Sequence, residues 1–149
     1  MTKSGFTLIE LLIAMTIMGI LAGIAIPNYN NAKMRADAAK VISDFEAIRV
    51  AAYDNYANTG QYPRNGGWGA VPAALRASLP NGFQFTYKEV TYRWRRWALP
   101  NGMPRNSRQT MLLGVQIRCN NRDLMRIIKN VYRGTQAQGN NTRVVFVIE

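Results

Sequence analysis

One stretch near the N-terminus restricts what this chain can become: from Phe6 to Ile26, 21 residues carry a single charge, that of Glu10. At helical rise this run is about 31 Å long, which matches the hydrocarbon thickness of a bilayer. Eleven of its residues are Leu, Ile or Phe. Together they favour insertion by about 5 kcal/mol, against a cost on the order of 3 kcal/mol for one carboxylate at mid-bilayer and less near an end. Insertion wins, and the segment is expected to span a membrane once. A secretory signal peptide and a plain anchor both fit a basic start and an apolar run, but neither gives a reason for Glu10, and the run is longer than a typical signal core.

The remainder supports one small domain and little chemistry. A chain of 149 residues with 48% hydrophobic content has material for a single core. With no histidine, the imidazole base, the Ser/His/Asp and Cys/His nucleophile pairs and His-containing zinc sites are unavailable. No catalytic set, metal site or cofactor is expected. The lone Cys119 cannot close an internal disulfide; it is either a small core residue or a link between subunits.

Charge is unevenly placed. Lys3 lies in residues 1–5, and residues 6–59 carry four bases against five acids. Residues 60–149 hold fourteen bases against Glu89, Asp123 and Glu149, so the whole excess of +11 sits in the C-terminal part.

From Asn28 to about Asn58, the residues Val41, Phe45, Ile48, Ala52 and Tyr56 recur at helical spacing and predict a face buried on a sheet. Lys33, Asp37, Lys40, Asp44 and Arg49 are assigned to a solvated or subunit-facing side, and Gly60 to the stop. A glycine-rich loop at Asn65–Gly69 and a short helix from Pro72 to Ser78 follow. Strands are expected at Phe83–Lys88, Thr91–Ala98, Met111–Cys119 and Arg143–Ile148, with a helix at Leu124–Tyr132 capped by Asp123 and a polar loop at Gly134–Asn141. The fold class is α+β: a long N-terminal helix laid on a small antiparallel sheet.

Arg93, Trp94, Arg95, Arg96 and Trp97 combine guanidinium groups with aromatic faces, the materials of polyanion binding. They equally describe a strand with Tyr92, Trp94 and Arg96 on one face and Arg93, Arg95 and Trp97 on the other, arginines covering aromatics.

Gly5-Phe6-Thr7-Leu8-Ile9-Glu10, after a short basic leader and before an apolar run ending at Pro27, resembles the type IV filament superfamily of pilins, type II secretion pseudopilins and competence pilins. Gly60-Gln61-Tyr62-Pro63 is similar to the turn that often closes the helix in that family. The resemblance implies residues 1–5 as a leader cleaved after Gly5 by a prepilin peptidase, and N-methylation of Phe6. It implies a membrane-spanning and filament-core helix at 6–27, an amphipathic helix at 28–59 and a β-rich head at 60–149, the pilin roll. Bottom-up chemistry agrees with the leader's placement, because Lys3 favours a cytoplasmic start and Gly5 offers an unhindered bond.

Glu10 is expected to pair with the new ammonium on Phe6 of a neighbouring subunit, since a buried carboxylate is costly unless partnered. Gly19, Gly23 and Pro27 are expected to soften the helix. The implied partners are like subunits in a homo- or hetero-polymer, an inner-membrane assembly platform and the membrane, with DNA or another polyanion as a candidate ligand of the head. The implied location is the inner membrane, then an extracellular or periplasmic filament. The head lacks the cysteine pair of many type IV pilins and the Asp-rich calcium loop of major pseudopilins, so pilus subunit, pseudopilin and DNA-binding competence pilin all stay open.

Overall fold

The computed structural model describes residues 5–98, 111–132, 136–137 and 140–148. Its first element, α1, is one helix of 52 residues from Leu8 to Thr59, about 78 Å long at helical rise. Thr7 caps its start, and Gly60 ends it in the left-handed conformation with φ 70°, donating its N–H to the Tyr56 carbonyl at 2.8 Å. The helix continues without a break through Pro27, although that residue has no N–H for the carbonyl four positions back.

The strands are β1 (Thr86–Tyr87), β2 (Val90–Ala98), β3 (Met111–Cys119), β4 (Gln136–Ala137) and β5 (Arg143–Val147), in the order β1-β2-β3-β5-β4 with every pairing antiparallel. Helix α2 (Arg122–Val131) lies between β3 and β4 in the chain and packs beside α1. The expected α+β architecture is therefore observed, with several local corrections. The expected strand at Phe83–Lys88 is reduced to Thr86–Tyr87. The helix after Pro72 is a single 3-10 turn, Ala73–Leu75. Asn121, not Asp123, caps α2, its side-chain oxygen accepting the N–H groups of Asp123 and Leu124 at 3.1 Å each. The polar loop expected at 134–141 contains a two-residue strand, β4, paired with β5, and the leader residue Lys3 lies outside the described residues.

Alternation along the strands sets the core. Tyr92, Ile117 and Val144 form one inward row across β2, β3 and β5, and Trp94, Val115 and Phe146 form the next. Val41, Phe45, Ile48 and Ala52 of α1 pack onto them, as the helical period predicts. Phe45 meets the rings of Phe146 and Tyr132 edge-on at 5.2 and 5.3 Å, and Tyr132 stacks on Phe146 at 3.9 Å. Each such ring contributes about 1.5–3 kcal/mol by burial. Tyr56 departs from the stripe: it is exposed and stacks on Tyr62 at 4.5 Å, so it closes the end of the helix rather than the core.

Asp44 departs in the opposite sense. It is buried, accepting a 3.0 Å hydrogen bond from the Tyr92 hydroxyl and pairing with Lys40, so it belongs to the helix–sheet seam and not to a solvated side. Burial, with the nearby Asp44 carboxylate adding to it, holds the Tyr92 phenol well above its ordinary range and keeps it a donor. Cys119 is also buried, inward on β3, where burial pushes its thiol up and removes it from reach of another subunit.

The free edge of β2 is covered by the glycine-rich loop. Gly66 and Gly69 donate their N–H groups to the Trp94 and Tyr92 carbonyls at 3.1 and 2.9 Å, and Asn65 Oδ1 accepts from the Arg96 N–H at 2.6 Å. Trp94 Nε1 donates to the Pro63 carbonyl at 2.9 Å, pinning the loop from beneath.

Gly114 on β3 lies so close to β5 that a Cβ there would sit 2.5 Å from the Phe146 carbonyl oxygen. Gly114→Ala is expected to destabilise the head by about 1–3 kcal/mol, read as a lower urea midpoint for the full chain in non-ionic detergent. A second expectation concerns acid. The hydrogen bond from Lys88 holds the Asp37 carboxyl below its usual range. A depressed folded-state value gives stability that is complete above the unfolded value, about 3.9, and is lost as pH falls through the folded one. Asp37→Asn should thus be less stable than the parent at pH 6, and the gap should close as pH is lowered from 5 towards 2 in a series of thermal melts.

Candidate functional site

Two regions carry the residues singled out above. The first is the N-terminal half of α1. Gly5 and Phe6 precede the helix, with Phe6 84% exposed, and the large apolar residues from Leu8 to Ile26 are all exposed. By length and composition α1 can cross a membrane, and nothing in its apolar window is covered by the rest of the chain.

Glu10 occupies the first turn. Its Oε2 accepts the Thr7 N–H and the Thr7 hydroxyl, both at 2.8 Å, and its own N–H reaches Thr7 Oγ1 at 3.3 Å. This is a capping box, and the T-x-x-E spacing that announces it is plain in the sequence. Thr7 is thus a participant that reasoning from charge alone missed. Thr16 satisfies its hydroxyl on the Leu12 and Ile13 carbonyls. Among the described residues of the span, Glu10 Oε1 is then the one polar side-chain oxygen left over. The capping box and an intermolecular pairing are compatible, because they use different oxygens of the same carboxylate.

Gly19, Gly23 and Pro27 lie on uninterrupted helix, and a side chain at either glycine would meet open space. The single subunit itself does not require them to be small.

The second region is the face of the sheet turned away from α1. The five consecutive residues Arg93–Trp97 do not act together. Trp94 is fully buried against the helix side and is unavailable to any ligand, and Arg96 shares its side of the strand. Arg93, Arg95 and Trp97 point the other way, with Arg95 over the Trp97 ring at 5.8 Å. Three residues that sequence reading left out complete this face. Arg118 of β3 and Arg143 of β5 are register partners, and Trp68 arrives from the loop that seals β2. The guanidinium carbons of Arg118, Arg93 and Arg143 stand 4.7, 5.6 and 6.0 Å from the centre of the Trp68 ring. No cluster of three or more His, Cys, Asp or Glu suited to a metal ion occurs among the described residues.

Comparison with known proteins bears on the first region above all. Residues 1–26 match the family model described as the prokaryotic N-terminal methylation motif. The chain is 38% identical over 89 residues to a type IV major pilin protein of Neisseria gonorrhoeae, covering 59% of this chain and 51% of that one. It is 41% identical over 62 residues to the type II secretion system core protein G of Klebsiella michiganensis, covering 42% and 44%. A fimbrial protein of Pseudomonas aeruginosa is 46% identical over 50 residues, covering 34% and 32%. The chain thus spans about half or less of the length of the curated relatives it matches, and no solved structure matches it.

Proposed function

We infer that this chain, which belongs to the type IV filament superfamily of prepilins, works as a structural subunit of a type IV pilus-like filament and not as an enzyme. The observation that carries this reading is the 0% burial of α1's apolar window, joined to a single carboxylate with one uncommitted oxygen. Such a surface has two stable settings, a bilayer and a bundle of identical helices, and a subunit that moves from one to the other uses both.

Processing after Gly5 by a prepilin peptidase would expose an ammonium on Phe6, to be methylated there. That cation is absent from the uncleaved chain. In the polymer, Glu10 Oε1 takes the ammonium of an adjacent subunit, which fixes the axial register between helices. Gly19, Gly23 and Pro27 supply a stretch of α1 whose backbone bonding loosens on packing, because Pro27 already forgoes one bond and the two glycines have low helix propensity. The subunit waits in the inner membrane and is then drawn by an assembly platform into an extracellular or periplasmic filament. A pseudopilin of a type II secretion system is the second reading, favoured by the likeness to the secretion protein of Klebsiella michiganensis.

Intact mass and N-terminal sequencing of the mature protein should show a chain starting at Phe6 with one added methyl group. Glu10→Leu should insert normally and be processed, yet be strongly depleted from sheared filaments. A mature start elsewhere, or normal incorporation of Glu10→Leu, would overturn the reading.

A further inference from the structure

We propose that the outer face of the sheet binds nucleic acid through its phosphodiester backbone, with Arg93, Arg118 and Arg143 grouped around Trp68 as the contact set. The group is built by the fold. Antiparallel register sets Arg118 opposite Arg143, and the loop sealing β2 is tied down by Gly66 and Gly69, so that Trp68 is carried across to the outer face. Arg93 Nε donates to the Gly66 carbonyl at 3.2 Å, which orients its guanidinium and leaves the two terminal nitrogens for a ligand.

Three like charges within 6.0 Å of one ring centre repel one another, and the ring offsets only about 0.5–1 kcal/mol for each. The chain has eight carboxylate side chains with which to neutralise them. Asp37, Asp44, Glu46 and Asp123 pair with Lys88, Lys40, Arg49 and Arg126. Asp54 accepts from Ser78 and Asn58, Glu10 is on the stem, and Glu89 is in the turn between β1 and β2. Only Glu149 lies outside the described residues. No ion pair to Arg93, Arg118 or Arg143 exists among the described residues, which leaves the cluster open to a counter-charge from another molecule.

The chemistry of that molecule follows from the arrangement. Guanidinium forks match phosphate oxygens two at a time. Trp68 is half-buried and already faced by guanidinium groups, so it offers little stacking surface to a base, and recognition falls on the backbone without sequence preference. Cations gathered this tightly reach adjacent charges only on a dense polyanion. Duplex DNA carries one charge per about 1.7 Å of axis, far denser than an acidic polysaccharide with one carboxylate per disaccharide.

The test is fluorescence anisotropy of a short mixed-sequence DNA duplex with the full chain in non-ionic detergent across a salt series. Three phosphate contacts predict a slope of log K against log salt near about −2.7. Arg118→Gln with Arg143→Gln should bring the slope to about −0.9 and weaken binding roughly tenfold or more at moderate salt. Arg122→Gln with Arg126→Gln removes the same charge from α2, on the opposite side of the sheet, and should change affinity less than about twofold. Arg118→Lys with Arg143→Lys should keep the slope but lose affinity severalfold, because charge is retained and the fork is not. Thermal melts confirm that each variant is folded. The proposal is overturned if wild type fails to bind at low salt, if the α2 pair loses as much as the outer-face pair, or if hyaluronate displaces DNA at equal charge concentration. None of these outcomes touches the filament reading, since the assay requires no polymerisation.

Discussion

The seam between the second half of α1 and the sheet holds the subunit together. All buried residues of the 52-residue helix fall between Ala38 and Ala52. The stretch from Leu8 to about Asn30 is a projection that the head does not cover, and contact with the head begins at Met34 and at Asp37, which Lys88 and Tyr87 hold. Each exposed Leu, Ile or Phe there forgoes about 1.5–3 kcal/mol that burial would supply. Stem and head are therefore separable in energetic terms: the head folds on its own seam, and the stem takes its stability from lipid or from other stems. A mutation in the seam should act as a folding defect, whereas one in the stem acts on insertion and assembly.

Within the seam, Asp44 gives position as well as attraction. Apolar contacts tolerate a slide of the helix by part of a turn, but a carboxylate at 4% exposure does not, because leaving the Tyr92 hydroxyl would strand it. The Phe45–Tyr132–Phe146 cluster stands on the adjoining turn and joins α1, α2 and β5. A polar pin beside an aromatic cluster sets where the stem leaves the head. Errors there are magnified along a lever tens of ångströms long, which would make precise placement valuable in a subunit that stacks on its copies as proposed.

The sequence was most legible where one periodicity dominated. The β3 limits follow from a run of Leu, Val and Ile bounded by polar residues, and Gly60 stops α1 because a left-handed cap favours glycine. Asp44 was misplaced by its charge. Its spacing, three residues after Val41 and four before Ile48, already puts it on the core face. Thr7 was equally readable from its distance to Glu10. Trp68 was not: it lies in a loop, and its meeting with arginines of three different strands depends on how that loop seals the β2 edge, a tertiary fact without local signature. The run at 92–97 misled because adjacent residues in a strand face opposite ways, so nearness in sequence was a poor guide to a shared surface.

The distribution of charge links the stem to the outer face. Five of the eight acidic residues lie on α1, and two of them, Asp37 and Asp44, are spent on Lys88 and Lys40 along the helix side of the head. The opposite face of the sheet is left basic. In the proposed filament, with stems bundled at the centre, the face turned away from α1 would face outward and the same cationic patch would repeat along the exterior. A domain of this size has a radius of gyration near 13 Å, so patches on neighbouring heads lie beyond the screening length of about 8 Å, and their mutual repulsion stays small. A long polyanion, by contrast, can engage several patches at once. After the first contact each further one is intramolecular, and affinity can rise by about 10²–10⁴ without any new kind of contact. A site that already binds on a single subunit would gain further strength from the assembly proposed for the stem.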